Sequence, residues 1–170
     1  KMPGECIDQG PRNTLQRVVI RAADAGFSVK TGVECEFFLV TPDGKAVSDE
    51  HDNAAKCCYD ASALMRRYEV IKEICDAMLD LGWEPYQNDH EDANGQFEMN
   101  WIFDDALITA DRHVFFKFMA RSIAEKHGLR ATFMPKPFMN LTGSGCHAHI
   151  SLWDGKTNVC YDANDKLGLS

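Results

Sequence analysis

Residues 32–40 read GVECEFFLV, and no other stretch limits the fold so tightly. Val33, Phe37, Phe38, Leu39 and Val40 give it the character of a buried strand. Glu34 and Glu36 nonetheless sit two apart, and on a pleated strand such residues share a face. At the strand rise they are about 6.6 Å apart. Two unit charges at that separation repel by roughly 2.5 kcal/mol at an effective dielectric near 20. Burial adds a desolvation cost. Water, a basic partner, a shared proton or a bound cation has to offset it.

Two later segments repeat the pattern. In GQFEMNW (95–101), Gln96, Glu98 and Asn100 share one face while Phe97, Met99 and Trp101 share the other. In CHAHISLW (146–153), His147, His149 and Ser151 oppose Ala148, Ile150 and Leu152. Each strand thus offers an apolar side for helices and a side rich in chemically capable groups. A polar face can simply meet solvent, as in many antiparallel sheets. Solvated faces usually mix in Lys and Arg, however, and this set has neither. Carboxylates and an imidazole converging from neighbouring strands form a divalent-cation site, and four or five ligands suffice for two or more ions.

Glu91 precedes Glu98 by seven residues. It reads either as a turn carboxylate or as a further ligand, because Asn94-Gly95 permits a tight reversal that would bring it toward Glu98. Gly143 and Gly145 let a loop approach a ligand closely. His51, His90, His113 and His127 read as structural.

Composition narrows the function classes. The 170 residues are about one domain's worth, and 45% hydrophobic content can bury a core. The net charge is −8 with no basic stripe, which argues against nucleic-acid binding. No stretch approaches the ~18 apolar residues of a membrane span, and the opening KMPGECIDQG lacks the apolar run of a secretory signal. The seven cysteines (Cys6, Cys35, Cys57, Cys58, Cys75, Cys146 and Cys160) are odd in number and form no CxxC. This favours a reducing, cytoplasmic setting over a disulfide framework, and the spacings do not suit structural zinc. The start at Lys1 and the stop at NDKLGLS suggest a piece of a longer protein.

Periodicity predicts the order αβαββαββ. Residues 11–26 read as a helix with Leu15, Val18 and Val19 on one stripe and Gly26 at its end. Residues 45–60 read as polar and irregular. A long helix is expected over 62–81, capped by Ser62, with Leu64, Met65, Tyr68, Ile71, Cys75, Met78 and Leu79 on one stripe. WEPYQNDHE and GQFEMNW read as paired strands. A third helix begins at Asp104 or Asp105 and runs to about His127, with Gly128 as its stop. RATFMP and the segment after GSG read as strands, with a hairpin turn at Asp154-Gly155. The expected class is α+β: a mostly antiparallel, curved sheet with helices packed on one side.

Three stretches, VECEFF, HEDANGQFE and KPFMNLTGSGCHAHIS, taken in this order and spacing, resemble the catalytic domain of the glutamine synthetase family. The likeness runs from about residue 11 to 162. HEDANGQFEMNW and YDASALMRRYEV are similar to the branch that includes γ-glutamylmethylamide synthetase. The resemblance implies ATP-dependent ligation of ammonia or an alkylamine to the side-chain carboxylate of L-glutamate, through a γ-glutamyl phosphate, with two or more Mg2+ or Mn2+ ions. It implies Glu36, Glu91 and Glu98 at the ion nearer glutamate, and Glu34 and His147 at the ion nearer the ATP phosphates. Thr142 and Gly143 would lie at the glutamate, with Thr142 standing where many members carry Asn. His149 and Ser151 would face the nucleotide. No catalytic residue is assigned, because the family's flap glutamate and arginines, like its N-terminal β-rich domain, lie outside these residues. Residues 1–170 would then be a partial catalytic domain, inactive alone, from a parent that forms homo-oligomeric rings. A guanidino-kinase-like phosphotransferase and a non-catalytic relative are the alternatives.

Overall fold

The apolar side of the Glu34–Glu36 strand is covered by two helices. The computed structural model describes residues 7–170, so Lys1 and Cys6 lie outside the described residues. The elements are α1 (Pro11–Asp24), β1 (Ser28–Val40), α2 (Ala61–Arg66), α3 (Tyr68–Asp80), β2 (Pro85–His90), β3 (Gln96–Trp101), β4 (Asp104–Asp105), α4 (Ala106–Lys126), β5 (Arg130–Thr132), β6 (Cys146–Asp154) and β7 (Thr157–Asn158). They form two compact units. The larger comprises Val33–Ile102 and His113–His147. The smaller comprises the segment ending at Gly32, with Phe103–Arg112 and Ala148–Ser170.

In the larger unit β1 pairs antiparallel with β3, with Glu34 opposite Asn100 and Glu36 opposite Glu98. β2 pairs antiparallel with β3, placing Asp89 opposite Glu98. β5 pairs antiparallel with the end of β1. The pleat sends Cys35, Phe37 and Leu39 of β1 and Phe97, Met99 and Trp101 of β3 to one side. There they meet Val70, Ile71, Ile74 and Met78 of α3 and Phe116, Ala120, Ile123 and Ala124 of α4 in a single core. Phe116 sits at its centre, edge-on to Phe37 at 6.0 Å and 5.2 Å from Trp101 between ring centres. This is the expected α+β arrangement, an antiparallel sheet with helices on one side.

The expected helix over 62–81 is two helices. Asp60, not Ser62, is the N-cap, its carboxylate accepting the Ser62 N–H at 2.8 Å. α2 ends at Arg66 because Arg67 leaves helical geometry (φ −114°). Its guanidinium donates to Ser48 Oγ at 2.9 Å and caps the Arg66 carbonyl at 2.9 Å. The break resets the helical phase. Val70, Ile71, Ile74 and Met78 become the buried stripe of α3, while Met65, Tyr68 and Leu79 of the expected stripe stay exposed.

In the smaller unit α1 starts with proline in its first turn after Gly10, and Gly26 (φ 90°) follows its end. None of its residues is buried, so its expected apolar stripe remains accessible. β4, unforeseen in the sequence, pairs with the start of β1 through Lys30 and Thr31. The β6–β7 hairpin turns at Gly155 (φ 57°), as expected. The apolar side of β6 is not covered as in β1 and β3: Ile150 stays 67% exposed.

Truncating Phe116 to Ala should cost about 3–5 kcal/mol through lost burial and a residual cavity. Phe118→Ala, on the exposed side of the same helix, should stay within about 0.5 kcal/mol. Urea unfolding of the two variants checks this, and equal losses would contradict the core described.

Candidate functional site

Registered antiparallel partners share a face, so the pairings also fix what lies on the side away from the helices. Glu34, Glu36, Gln96, Glu98, Asn100 and Asp89 all point there. Glu91 follows β2, and its N–H donates to the Gln96 carbonyl at 3.0 Å. The chain then reverses through Gly95, whose φ of 72° lies in the left-handed region. The Gln96 side chain closes the turn by accepting the Ala93 N–H at 3.1 Å. The reversal foreseen at Asn94-Gly95 thus brings Glu91 back over the sheet. Oxygens of Asp89, Glu91 and Glu98 all lie within 4.8 Å of one another. Asp89 escaped the sequence reading, although its position two residues before Glu91 was a signal that it shares that face.

His147, at the start of β6, places Nδ1 2.9 Å from Glu34 Oε2. This hydrogen bond holds the imidazole pKa above its ordinary value, with the Glu34 charge adding to the effect. The loop before it passes close to the carboxylates. A Cβ on Gly145 would sit 2.7 Å from Glu36 Oε1, so a side chain there would displace the carboxylate. Gln96 Nε2 faces Glu36 Oε2 at 3.0 Å, the Gly143 carbonyl at 3.0 Å and Ser144 Oγ at 3.1 Å. One amide therefore ties Glu36 to the glycine loop. Gly143 passes so near Pro135 that a Cβ would lie 2.6 Å from its carbonyl oxygen.

The structure gathers Glu36, Glu91, Glu98, Glu34 and His147 on this face, with Gly143 held beside Glu36. Thr142 is exposed next to it. His149 and Ser151 belong to the smaller unit. There His149 is exposed, and Ser151 Oγ accepts a hydrogen bond from Trp153 Nε1 at 2.9 Å. Of the histidines read as structural, His113 lies on α4 with Nε2 3.9 Å from Cys146 Sγ. His127 follows α4 and bonds Glu73 at 2.7 Å.

The carboxylates strain against one another. Burial, followed by the charges of Glu98, Glu36 and Asp89, pushes the Glu91 pKa up to about 7. Burial likewise raises Glu98, and Glu34, Glu36 and Asp89 add to the shift. A hydrogen bond from Asn100 Nδ2 at 2.9 Å acts against it. The other amide atom, Asn100 Oδ1, is buried with no hydrogen-bond partner. Clustered carboxylates, one imidazole and an unpaired amide oxygen are oxygen-rich donors suited to a hard divalent cation such as Mg2+ or Mn2+.

The family model for "Glutamine synthetase, catalytic domain" matches residues 8–170. A glutamine synthetase of Rhizobium meliloti (strain 1021) is 66% identical over 166 residues, covering 96% of this chain and 38% of that protein. A glutamate–methylamine ligase of Methyloversatilis universalis is 42% identical over 169 residues, covering 98% of this chain and 38% of that protein. A solved GmaS/ADP complex is similar in structure with a TM-score of 0.94 at 61% identity, over 99% of this chain and 39% of that one. The chain spans well under half the length of these relatives. On the family match and these identities, the chain belongs to the glutamine synthetase catalytic-domain family.

Proposed function

We propose that the full-length protein joins ammonia or an alkylamine to the side-chain carboxylate of L-glutamate at the expense of ATP, and that this chain is part of its catalytic domain. The observation that carries the reading is the convergence of Glu91, Glu98 and Asp89 beside Glu36, with Glu34 hydrogen-bonded to His147. Relatives named for glutamine synthesis and for methylamine ligation support the reaction class. The match over residues 8–170 leaves a guanidino-kinase-like phosphotransferase without support.

In this reading Glu36, Glu91 and Glu98 hold the cation nearer glutamate, with Asp89 beside them, and Glu34 and His147 hold the one nearer ATP. Divalent cations bound there would neutralise phosphate charge and polarise the terminal phosphoryl group. The glutamate side-chain carboxylate attacks the terminal phosphorus, ADP departs, and a γ-glutamyl phosphate forms. The amine then attacks the acyl carbon, phosphate leaves, and the nitrogen loses a proton. Gly143, held by Gln96, offers its backbone to glutamate with Thr142 alongside, and His149 and Ser151 face the nucleotide. The proton shared by His147 and Glu34 is the one a cation would displace, so binding should release protons. Flap glutamate, arginines and a neighbouring copy in a homo-oligomeric ring complete the site. We place the protein in the cytoplasm, in keeping with the free thiols of Cys35, Cys57, Cys58, Cys75, Cys146 and Cys160. No helix among the described residues is long and apolar enough to cross a membrane.

Full-length protein given glutamate, ATP and Mg2+ should release phosphate only when an amine is added. Comparing ammonia, methylamine and putrescine identifies the nucleophile. Glu98→Ala should lower the rate by about a hundredfold or more, and the 170-residue chain alone should show negligible turnover. Phosphate release that ignores glutamate would contradict the reading.

Metal-free folding should also depend on pH. Glu91 titrates near 7 when folded, against an ordinary 4.5, so the folded state holds more protons across that window. Stability should therefore fall as pH rises from about 5 to about 8. His147, raised above 6.5, acts in the same direction, because its stabilisation is lost as it deprotonates. Mg2+ or Mn2+ should reverse the loss and Glu91→Gln should flatten it. Unfolding midpoints at the two pH values test this, and a metal-free protein that gains stability over the window would contradict it.

A further inference from the structure

Asp52 and His90 are both buried, at 4% and 1% exposure, and neither belongs to the ligand set above. His90 lies on the opposite face of β2 from Asp89 and packs edge-on against Phe97, with centres 5.5 Å apart. Its Nε2 is 2.7 Å from Asp52 Oδ2, and its Nδ1 is 2.9 Å from the Cys57 carbonyl. A carbonyl oxygen only accepts, so Nδ1 donates. Two further donors reach Asp52 from the far side of the turn. Gly95 N–H meets Oδ2 at 2.5 Å, and Asn94 Nδ2 meets Oδ1 at 3.0 Å. The same segment adds Tyr59 N–H on the His90 carbonyl at 2.8 Å and the Cys57 thiol on the Asp92 carbonyl at 3.3 Å.

Asp52, Cys57 and His90 come close enough together to suggest a metal centre of their own. Their polar atoms are instead taken up by these hydrogen bonds, which all point at one object, the turn between His90 and Gln96. The turn is gripped at both ends, through His90 just before Glu91 and through Asn94 and Gly95 just before β3. At the β3 end Gly95 also presses on Val47, where an added Cβ would lie 2.8 Å from the valine Cβ.

We infer that the Asp52–His90 pair is the positioning device for Glu91. The inference rests on the reading of Glu91 and Glu98 as cation ligands. Glu91 stands among like charges that favour its retreat from Glu98, and its own backbone is held, among the described residues, only by its N–H on the Gln96 carbonyl and by the Cys57 thiol on its carbonyl at 3.6 Å. The buried pair prevents that retreat, so the carboxylate stays in place before any cation arrives. Asp52 and His90 touch neither substrate nor ion and act only through the turn.

Mn2+ titration of the full-length protein, followed by electron paramagnetic resonance, tests this with Asp52→Asn. Asparagine keeps the shape of aspartate but removes the charge that accepts from Gly95, Asn94 and the His90 ring. One class of Mn2+ site should weaken about 10–100-fold, the range for outer partners of metal ligands, while the Glu34–His147 class stays within about threefold. A merely structural role would lower the unfolding midpoint without separating the classes. Both classes unchanged, or both weakened alike, would overturn the inference. If Asp52→Asn does not fold, Asn94→Ala decides. It removes the Asn94 bonds to Asp52 and to the Ala54 carbonyl at a partly exposed residue, and the same class should weaken by about threefold or more. Unchanged affinity there overturns the inference. A wild-type protein that binds no Mn2+ would overturn the cation reading as well.

Discussion

Mutual repulsion among carboxylates on one sheet face, fixed there by the apolar core behind it, governs this structure. Glu36 and Glu98 cannot swing apart, because the residues flanking each in sequence, Cys35 and Phe37 beside Glu36 and Phe97 and Met99 beside Glu98, are buried in one core with α3 and α4. A period of two couples the faces, so a one-residue slip would carry every carboxylate into the core. The core therefore stabilises the fold and also holds like charges together. Burial, with the repulsion of the neighbouring carboxylates added to it, raises the pKa of Glu91 and Glu98.

From that constraint the rest of the site follows. Gln96 is fully buried and its amide spans Glu36 and the Gly143–Ser144 backbone. The glycine loop can come so close because Gly145 lacks a Cβ. A glutamate ligase must bring an anionic amino acid and a polyphosphate to one place. In the proposed reading, cations held by these carboxylates would supply the positive counter-charge that both substrates require.

Period-two alternation made β1 and β3 and their chemical faces legible, because every second side chain packs into the helix-covered core while those between carry the polar groups. The reversal at Asn94-Gly95 was legible from turn chemistry. Local pattern could not show the break at Arg67, which depends on Ser48 nineteen residues away. Nor could it show that residues 45–60, irregular by composition, contain the aspartate that pins the Glu91 turn. The uncovered apolar side of β6 is a further case, since alternation reports that a strand has an apolar face, not what lies against it. Thr142, His149 and Ser151 rested on family resemblance. The contact from Trp153 to Ser151 is local to β6 and carries no mark of a nucleotide.

The most direct measurement is anomalous diffraction at the manganese edge from crystals of the full-length protein grown with Mn2+. One peak is expected among Glu36, Glu91 and Glu98, and a second between Glu34 and His147. Crystals that bind Mn2+ elsewhere, or carry no peak on this face, would show that its carboxylates are held together for some purpose other than cations.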